Sequence, residues 1–255
     1  MSPGRDSRRI VKTSTERRGA SAGVKKRKIA VFDIDGTLFR SSLAIELVDR
    51  LIEEGVFPWE EKDSYEEEYR RWIERRGDYK SYIDKVASVF HRRIKGVPYQ
   101  AVADIAGEII EEQRHHVYTY TRDLIRDLKR KGYFLLAISR SPKFIVDGFA
   151  HEAGFDKSYG MFFTSGASGN FTGEVEDKDI IENKSAIVQR VVRKENLTLE
   201  GSVGVGDTEH DIQMLEMVDR PIAFNPNQRL YAHAKRRGWE IVVERKDVIY
   251  EIQGS

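Results

Sequence analysis

The chain of 255 residues contains no cysteine, so disulfide bonds and thiolate catalysis are excluded. The lack of cysteine fits a cytoplasmic protein, and we expect that location. Long apolar runs are also missing: none approaches the ~20 residues needed to cross a bilayer, and no apolar core of a signal peptide is present. We therefore expect no membrane association.

The chain also has almost no net charge, because its 43 Lys and Arg residues are balanced by 42 Asp and Glu residues. This balance hides an uneven distribution. Residues 1–28 hold ten of the basic residues and two of the acidic ones, show no hydrophobic period, and are predicted to be a disordered basic tail. The remainder carries an excess of seven acidic residues, which argues against nucleic-acid binding.

Two carboxylates follow the first apolar block of the chain. Residues 29–32 are predicted to form a strand buried on both faces, and Asp33 and Asp35 come directly after it, before Gly36 and Thr37. In open α/β sheets, ligands bind beyond the carboxyl ends of the strands. Carboxylates about 4 Å apart repel each other by roughly 4 kcal/mol, so a cation or a proton must offset the repulsion. Taken alone, the stretch also fits an acidic β-turn.

Residues 41–117 show helical periodicity interrupted by short Gly and Pro breaks. Four helices of this length predict a small helical bundle. The Tyr and Trp residues within it fit the bundle core better than a binding site.

Strands and helices alternate through the rest of the chain, which predicts an α/β fold with a parallel sheet and right-handed crossovers. Buried strands are predicted near residues 133–138, 202–205 and 221–224, and a hairpin is predicted for residues 161–175. Reactive side chains recur at the strand ends. They are Asp33 and Asp35, Ser139, and Asp207 with Asp211, and Lys184 begins a predicted helix before the last pair.

This order of motifs resembles the haloacid dehalogenase superfamily of phosphohydrolases, and within it the phosphoserine-phosphatase-like branch. The family pattern is D-x-D-G/S-T, a strand ending in Ser or Thr, a Lys, and G-D-x-x-x-D. The resemblance implies a Rossmann-like parallel sheet with a helical-bundle cap inserted after the first strand. On that basis residues 29–40 and 118–255 are the phosphatase core, and residues 41–117 are a cap that closes over small substrates.

The resemblance also implies catalytic roles. Asp33 is the nucleophile that forms an aspartyl-phosphate, and Asp35 protonates the leaving oxygen and then activates water. The Ser139 hydroxyl holds phosphate oxygens, and Lys184 neutralises both the phosphate and the nucleophile.

A magnesium ion belongs to the same implied site, because Mg²⁺ prefers oxygen ligands and is usually shared between carboxylates and phosphate. The implied ligands are the Asp33 side chain, the Asp35 main-chain carbonyl and the Asp207 side chain. Asp211 holds a metal-bound water or orients Lys184.

Three residues are predicted to contact the rest of the substrate. The glutamate that reads the amine in phosphoserine phosphatases is replaced by Ser42, and Glu46 stands one helical turn later. The second family motif is usually Ser-Gly-Gly, whereas this chain places Arg140 after Ser139. The predicted contacts are therefore Arg140, Glu46 and Arg40, and the evidence for phosphoserine as substrate is lost.

The sequence thus predicts a Mg²⁺-dependent phosphomonoester hydrolase that acts on a small phosphorylated metabolite. A phosphotransferase or phosphomutase, which passes the phosphoryl group to an alcohol, is the first alternative. A non-catalytic phospho-ligand-binding protein is the second. A receiver-type signalling domain fits poorly, because its acidic pair is adjacent and it lacks a cap.

Overall fold

The computed structural model describes Met1, residues 26–176 and residues 181–252. Most of the predicted basic tail lies outside these residues. An eight-stranded sheet forms the centre of the molecule, in the order β4-β3-β2-β1-β5-β6-β7-β8. Its strands are β1 (Lys28–Phe32), β2 (Phe134–Pro142), β3 (Lys157–Ser165), β4 (Phe171–Glu176), β5 (Thr198–Gly206), β6 (Arg220–Phe224), β7 (Glu240–Arg245) and β8 (Val248–Ile252).

The sheet is parallel from β3 to β7, and the two edge strands run antiparallel to their neighbours. This arrangement confirms the predicted α/β fold with a mostly parallel sheet. Strand β1 lies at the centre, between β2 and β5. Ile29, Ala30, Val31 and Phe32 are fully buried, as expected for a strand with both faces covered.

Helices cover the sheet and fill the long connection after β1. They are α1 (Leu43–Glu53), α2 (Asp63–Ile73), α3 (Tyr79–Arg93), α4 (Tyr99–Gln113), α5 (Thr119–Arg130), α6 (Lys143–Glu152), α7 (Lys184–Lys194), α8 (Ile212–Leu215) and α9 (Gln228–Arg237), with 3₁₀ turns at Trp59–Lys62 and Glu209–Asp211. None of the described helices is both long and apolar enough to span a membrane.

Helices α1 to α4 occupy the range where the sequence predicts a bundle. Leu43, Leu47 and Leu51 of α1 are buried at i, i+4 and i+8. Asp78 caps α3 by accepting a 2.7 Å hydrogen bond from the backbone N–H of Ser81. The division of the chain into a core and a cap domain stays a prediction.

Three elements differ from the sequence-based expectation. Strand β2 continues past residue 138 to Pro142, because Pro142 pairs with Met161 of β3 after a register shift. The helix expected to reach Val218 ends at Leu215, where i→i+3 hydrogen bonds close tighter turns. Strand β8 was not predicted, because all of its residues are exposed and no buried pattern marks it.

A buried glutamate ties the first 3₁₀ turn to α3. The Glu61 side chain is 6% exposed and accepts hydrogen bonds from the guanidinium groups of Arg92 and Arg93. Burial acts to raise the pKa of Glu61, but the two arginines outweigh it and hold the pKa below its usual range. A depressed pKa means that this pairing stabilises the fold above the unfolded-state pKa of about 4.3. The contribution is lost as the pH falls through the folded-state pKa.

We therefore expect Glu61→Gln to lower the free energy of unfolding by about 1–2 kcal/mol at pH 7. The difference from wild type should shrink as the pH falls below about 4, and urea denaturation at about pH 7 and about pH 3 measures it. Glu53→Gln is the matched control. The Glu53 carboxylate is 52% exposed and 3.9 Å from Lys62 Nζ, so its loss should cost less than about 0.5 kcal/mol. Equal losses for both variants would contradict the assigned role of Glu61.

Candidate active site

The carboxyl ends of β1, β2 and β5 meet at one edge of the sheet. Asp33 follows β1, Ser139 lies in β2, and Asp207 follows β5. Because β1 is hydrogen-bonded to both neighbours in parallel register, these residues end up side by side. A cavity of about 1440 Å³ opens at this edge, and Asp33, Asp35, Lys184 and Asp207 all line it.

Lys184 lies between two carboxylates. Asn183 caps α7 by accepting a hydrogen bond from the backbone N–H of Ala186, which places Lys184 in the first turn. Its Nζ is 2.9 Å from Asp33 Oδ1 and 2.6 Å from Asp211 Oδ1. The ammonium group is therefore held at the end of β1 by two charge-assisted contacts.

Burial governs the charge states at this edge. Burial raises the pKa of Asp33 to about 7, with Lys184 lowering it and Asp211 raising it further. Burial also raises the pKa of Asp207, and the nearby Asp33 carboxylate adds to that rise. Burial alone would lower the pKa of Lys184, but Asp211 and Asp33 outweigh it and raise the pKa instead. The lysine stays charged, whereas burial opposes the ionisation of Asp33 and Asp207.

Asp33, Asp207 and Asp211 each place a carboxylate oxygen within 4.8 Å of the others. At that separation each pair of like charges repels by roughly 3.5 kcal/mol at an effective dielectric of 20. Asp207 Oδ1 is buried and has no hydrogen-bond partner within the described part of the chain. A buried carboxylate oxygen without a donor needs a cation or a proton, so these residues fit a divalent metal ion.

The Asp211 carboxylate is already occupied. Its Oδ1 contacts Lys184, and its Oδ2 accepts the backbone N–H groups of Asp207 and Thr208, both at 3.1 Å. Asp211 thus fixes the loop that carries Asp207 and orients Lys184. Both interactions use oxygens that a metal ion would otherwise take.

Asp35 is held by a separate set of donors. Its Oδ1 accepts the backbone N–H of Leu43 at 2.6 Å, and its Oδ2 accepts hydrogen bonds from the hydroxyls of Ser139 and Ser141, at 2.5 and 2.9 Å. Ser139 Oγ also accepts the backbone N–H of Ser141. The Ser139 hydroxyl therefore faces Asp35, and Ser139 is not among the described residues that line the cavity.

The contact of Ser141 with Asp35 was not predicted. Ser141 stands two residues after Ser139, so both side chains lie on the same side of β2. That spacing was the available signal.

Only two of the three predicted substrate contacts lie on the cavity wall among the residues described. Arg140 and Arg40 line the cavity, whereas Glu46 does not contribute to the wall among the residues described. On α1 that wall is formed by Ala44, Ile45 and Asp49, with Ile45 and Asp49 neighbouring each other at i and i+4.

Arg140 and Arg40 differ in their surroundings. Arg140 Nη1 lies 3.5 Å from His210 Nε2, and burial together with the charge of Arg140 lowers the pKa of His210. The Arg140 Nε is buried without a described hydrogen-bond partner. The Arg40 guanidinium lies over the Tyr118 ring, 5.5 Å from its centroid.

The aromatic residues of α2 and α3 bear out one expectation only in part. They were expected to fill the bundle core, and Tyr65 and Tyr82 are buried there, at 3% and 4% exposed, whereas Trp72 is partly buried and Tyr69 is exposed. The Tyr and Trp residues of these helices also line the cavity while packing against one another. These residues are Tyr65, Tyr69, Trp72, Tyr79 and Tyr82. The first three recur at i, i+4 and i+7 on α2, and this face is aromatic and polar-tipped, whereas a bundle core is usually aliphatic. That composition was the missed signal.

Comparison with known proteins places these observations in context. A family model described as haloacid dehalogenase-like hydrolase matches residues 30–216. The phosphoserine phosphatase of Archaeoglobus fulgidus is 27% identical over 207 residues, which cover 81% of this chain and 55% of the relative. The chain therefore spans about half the length of that relative.

Two further proteins match most of the chain. The histidinol-phosphatase of Neisseria meningitidis serogroup C is 23% identical over 224 residues, covering 85% of this chain and 98% of the relative. A solved structure described as a phospho-aspartyl intermediate analogue of phosphoserine phosphatase has a TM-score of 0.57 and 24% identity. It covers 88% of this chain and 96% of its own. At that identity the structural likeness establishes the fold.

Gly36 is the point of closest approach between the first loop and Asp207. Its φ is +76°, a conformation that favours glycine. A Cβ atom at this position would lie 2.2 Å from Asp207 Oδ2. Any larger residue would displace the carboxylate that lacks a hydrogen-bond partner.

We expect Gly36→Ala to weaken divalent-cation binding by displacing Asp207. When the Mg²⁺ concentration is about 100 times the Kd, cation binding adds about 2.7 kcal/mol to the free energy of unfolding, which raises Tm by roughly 5–10 °C. Thermal unfolding with MgCl₂, against NaCl of equal ionic strength, should show that rise in wild type and less than about half of it in Gly36→Ala.

Gly55→Ala is the matched control. Gly55 has a φ of +71°, and its Cβ would meet nothing within 4 Å. This variant carries the same backbone strain and should keep the full cation-dependent rise. If both variants kept it, the close approach of Gly36 to Asp207 would not matter for the cation.

Proposed function

The chain belongs to the haloacid dehalogenase-like hydrolases, and we propose that it is a phosphatase that cleaves small phosphate monoesters through a phosphoryl group carried on Asp33. The observation that carries the proposal is the buried placement of Lys184 against Asp33 and Asp211, with Asp207 beside them. Structural ion pairs seldom bury three carboxylates around one lysine, because desolvation costs several kcal/mol per ion. A phosphoryl site needs this surplus of oxygen ligands to hold a metal ion beside a nucleophile.

In the first step an Asp33 carboxylate oxygen attacks phosphorus. The bond between phosphorus and the ester oxygen breaks, and the leaving oxygen takes a proton from Asp35. In the second step water attacks the aspartyl-phosphate and gives its proton to Asp35, which releases orthophosphate and restores Asp33. Splitting the displacement in two replaces one difficult step with two easier ones.

Asp35 suits this exchange because its carboxylate is fixed but not neutralised by a basic side chain in the described structure. The hydroxyls of Ser139 and Ser141 and the backbone N–H of Leu43 hold it. Ser139, which was predicted to hold phosphate, is therefore proposed to position Asp35.

The proposed cofactor is Mg²⁺. The Asp33 and Asp207 side chains and the Asp35 main-chain carbonyl would hold it. When bound, it would neutralise charge on the carboxylates and on the phosphate. Asp211 is proposed to orient Lys184, whose ammonium group neutralises charge at the nucleophile.

The proposed substrate is a small phosphorylated metabolite, with Arg140 and Arg40 as the charged contacts on the cavity wall. Residues 41–117 are the proposed cap over it. Relatives named for phosphoserine and for histidinol phosphate support the ester class. Ser42 in place of the glutamate leaves phosphoserine without its expected partner.

Replacing the nucleophile should abolish turnover. We expect Asp33→Asn to lower kcat for p-nitrophenyl phosphate with Mg²⁺ by at least about 10³-fold, because the amide cannot form the covalent intermediate. Acid-quenched wild type should carry a phosphoryl group on the peptide that contains Asp33, as read by mass spectrometry, and the variant should not. Turnover that survives in Asp33→Asn would refute the nucleophile, and transfer to an added alcohol without orthophosphate release would indicate a phosphotransferase.

Replacing the proposed acid should affect substrates unequally. We expect Asp35→Asn to slow the hydrolysis of esters of poorly acidic alcohols by about 10²–10⁴-fold, because their leaving oxygens need a proton. Hydrolysis of p-nitrophenyl phosphate should slow less, since its leaving group departs as an anion. Single-turnover rates of enzyme phosphorylation isolate this step. The same loss on both kinds of ester would assign Asp35 a structural or metal-holding role instead.

A further inference from the structure

We infer that the cavity wall formed by Tyr65, Tyr69, Trp72, Tyr79 and Tyr82, here called the aromatic wall, binds a ring-bearing leaving group of the substrate. This inference rests on the proposed phosphatase function and names the class of ester: one whose alcohol carries an aromatic ring. All five residues line the same cavity as Asp33 and Asp207.

The aromatic wall begins beside the reacting groups. The Tyr79 side chain lies near that of Ser42, the residue that precedes α1. Burial raises the pKa of Tyr79, and the charges of Asp35 and Asp207 raise it further. Tyr79 is therefore close enough to feel both carboxylates, and it remains a neutral phenol there.

The rings of the aromatic wall are in contact with one another. The Trp72 ring centroid lies 5.1 Å from that of Tyr79 and 5.9 Å from that of Tyr82. Tyr69 packs 5.2 Å from Tyr82, and Tyr65 lies 6.0 Å from Tyr82. These spacings are typical of interacting aromatic pairs. The wall is thus one continuous cluster of rings that includes Tyr79.

The cavity has room for more than a small amino-acid ester. Its volume of about 1440 Å³ exceeds the roughly 300–1,000 Å³ usual for ligand pockets. Tyr65 and Tyr82 are buried, whereas Trp72 is only partly buried and Tyr69 is 44% exposed, so Trp72 and Tyr69 offer ring surface to a ligand. A ring in the leaving group would cover this surface and make the same edge and offset contacts that the wall residues make with each other.

Phosphonates test the inference without depending on turnover, because their carbon–phosphorus bond is not hydrolysed. We expect 3-phenylpropylphosphonate to bind about tenfold more tightly than propylphosphonate in the presence of Mg²⁺, measured by calorimetry. Tyr69→Ala and Trp72→Leu should each weaken the phenyl compound at least about fivefold more than the propyl compound.

Tyr231→Ala is the matched control. Tyr231 is 40% exposed on α9 and does not line the cavity, so its loss should change neither affinity. Equal affinity for the two phosphonates, or equal losses in the wall variants, would overturn the inference.

The matching esters, 3-phenylpropyl phosphate and propyl phosphate, separate the inference from the proposed function. Their alcohols have similar acidity, so the leaving-group chemistry is constant. The phenyl ester should show about tenfold higher kcat/KM, mainly through KM. Ring-dependent phosphonate binding without hydrolysis of either ester would refute the phosphatase and leave the aromatic wall standing. Hydrolysis of both esters at equal kcat/KM would refute the wall alone.

Discussion

The contact of Lys184 with Asp33 and Asp211 is the interaction on which the site depends. It places one positive charge among three carboxylates, of which Asp33 and Asp211 are buried and Asp207 is half-buried, so the cluster keeps an excess of negative charge. The backbone had to accommodate this crowding. Gly36 passes where a Cβ would touch Asp207, and a Cβ on Gly206 would lie 2.5 Å from Asp211 Cβ. Small residues at both points let acids from two loops approach one another, and the remaining charge draws a cation to that spot.

Parallel topology explains why this part of the site was predictable. Strands β1, β2 and β5 end at the same edge, so residues that follow them must converge whatever the intervening sequence does. Asp33, Asp35 and Asp207 could therefore be brought together from the sequence alone, whereas Lys184 was placed by the resemblance of its motif to the family pattern. The contact of Ser139 with Asp35 could not be predicted, because β2 runs on to Pro142 and brings Ser141 beside it. That extension depends on pairing with β3, which no local sequence pattern predicts.

The aromatic wall was predicted only in part, for a related reason: Tyr65 and Tyr82 are buried as expected, but the exposure of Tyr69 was not foreseen. Helical periodicity shows which residues of α2 share a face, but not what that face meets. Packing of α2 against α3 turns Tyr69 and Trp72 toward the cavity rather than into a closed core. Glu46 shows the same limit. It lies one helical turn after Ser42, yet the residues of α1 that line the cavity include Ile45 and Asp49 and not Glu46. The sequence indicates where a helix forms, whereas tertiary packing decides which side of that helix meets the cavity.

The start of α1 connects the two ends of the cavity. Asp35 accepts the N–H of Leu43, and Ser141 accepts the N–H of Ala44, so the first turn of α1 is bound to the groups that hold the proposed acid. Ser42, beside them, lies near the Tyr79 side chain. One end of the aromatic wall therefore lies next to the residues that hold Asp35. The wall itself carries neutral rings, and so it can bind a leaving group without adding charge beside carboxylates whose ionisation is already opposed by burial.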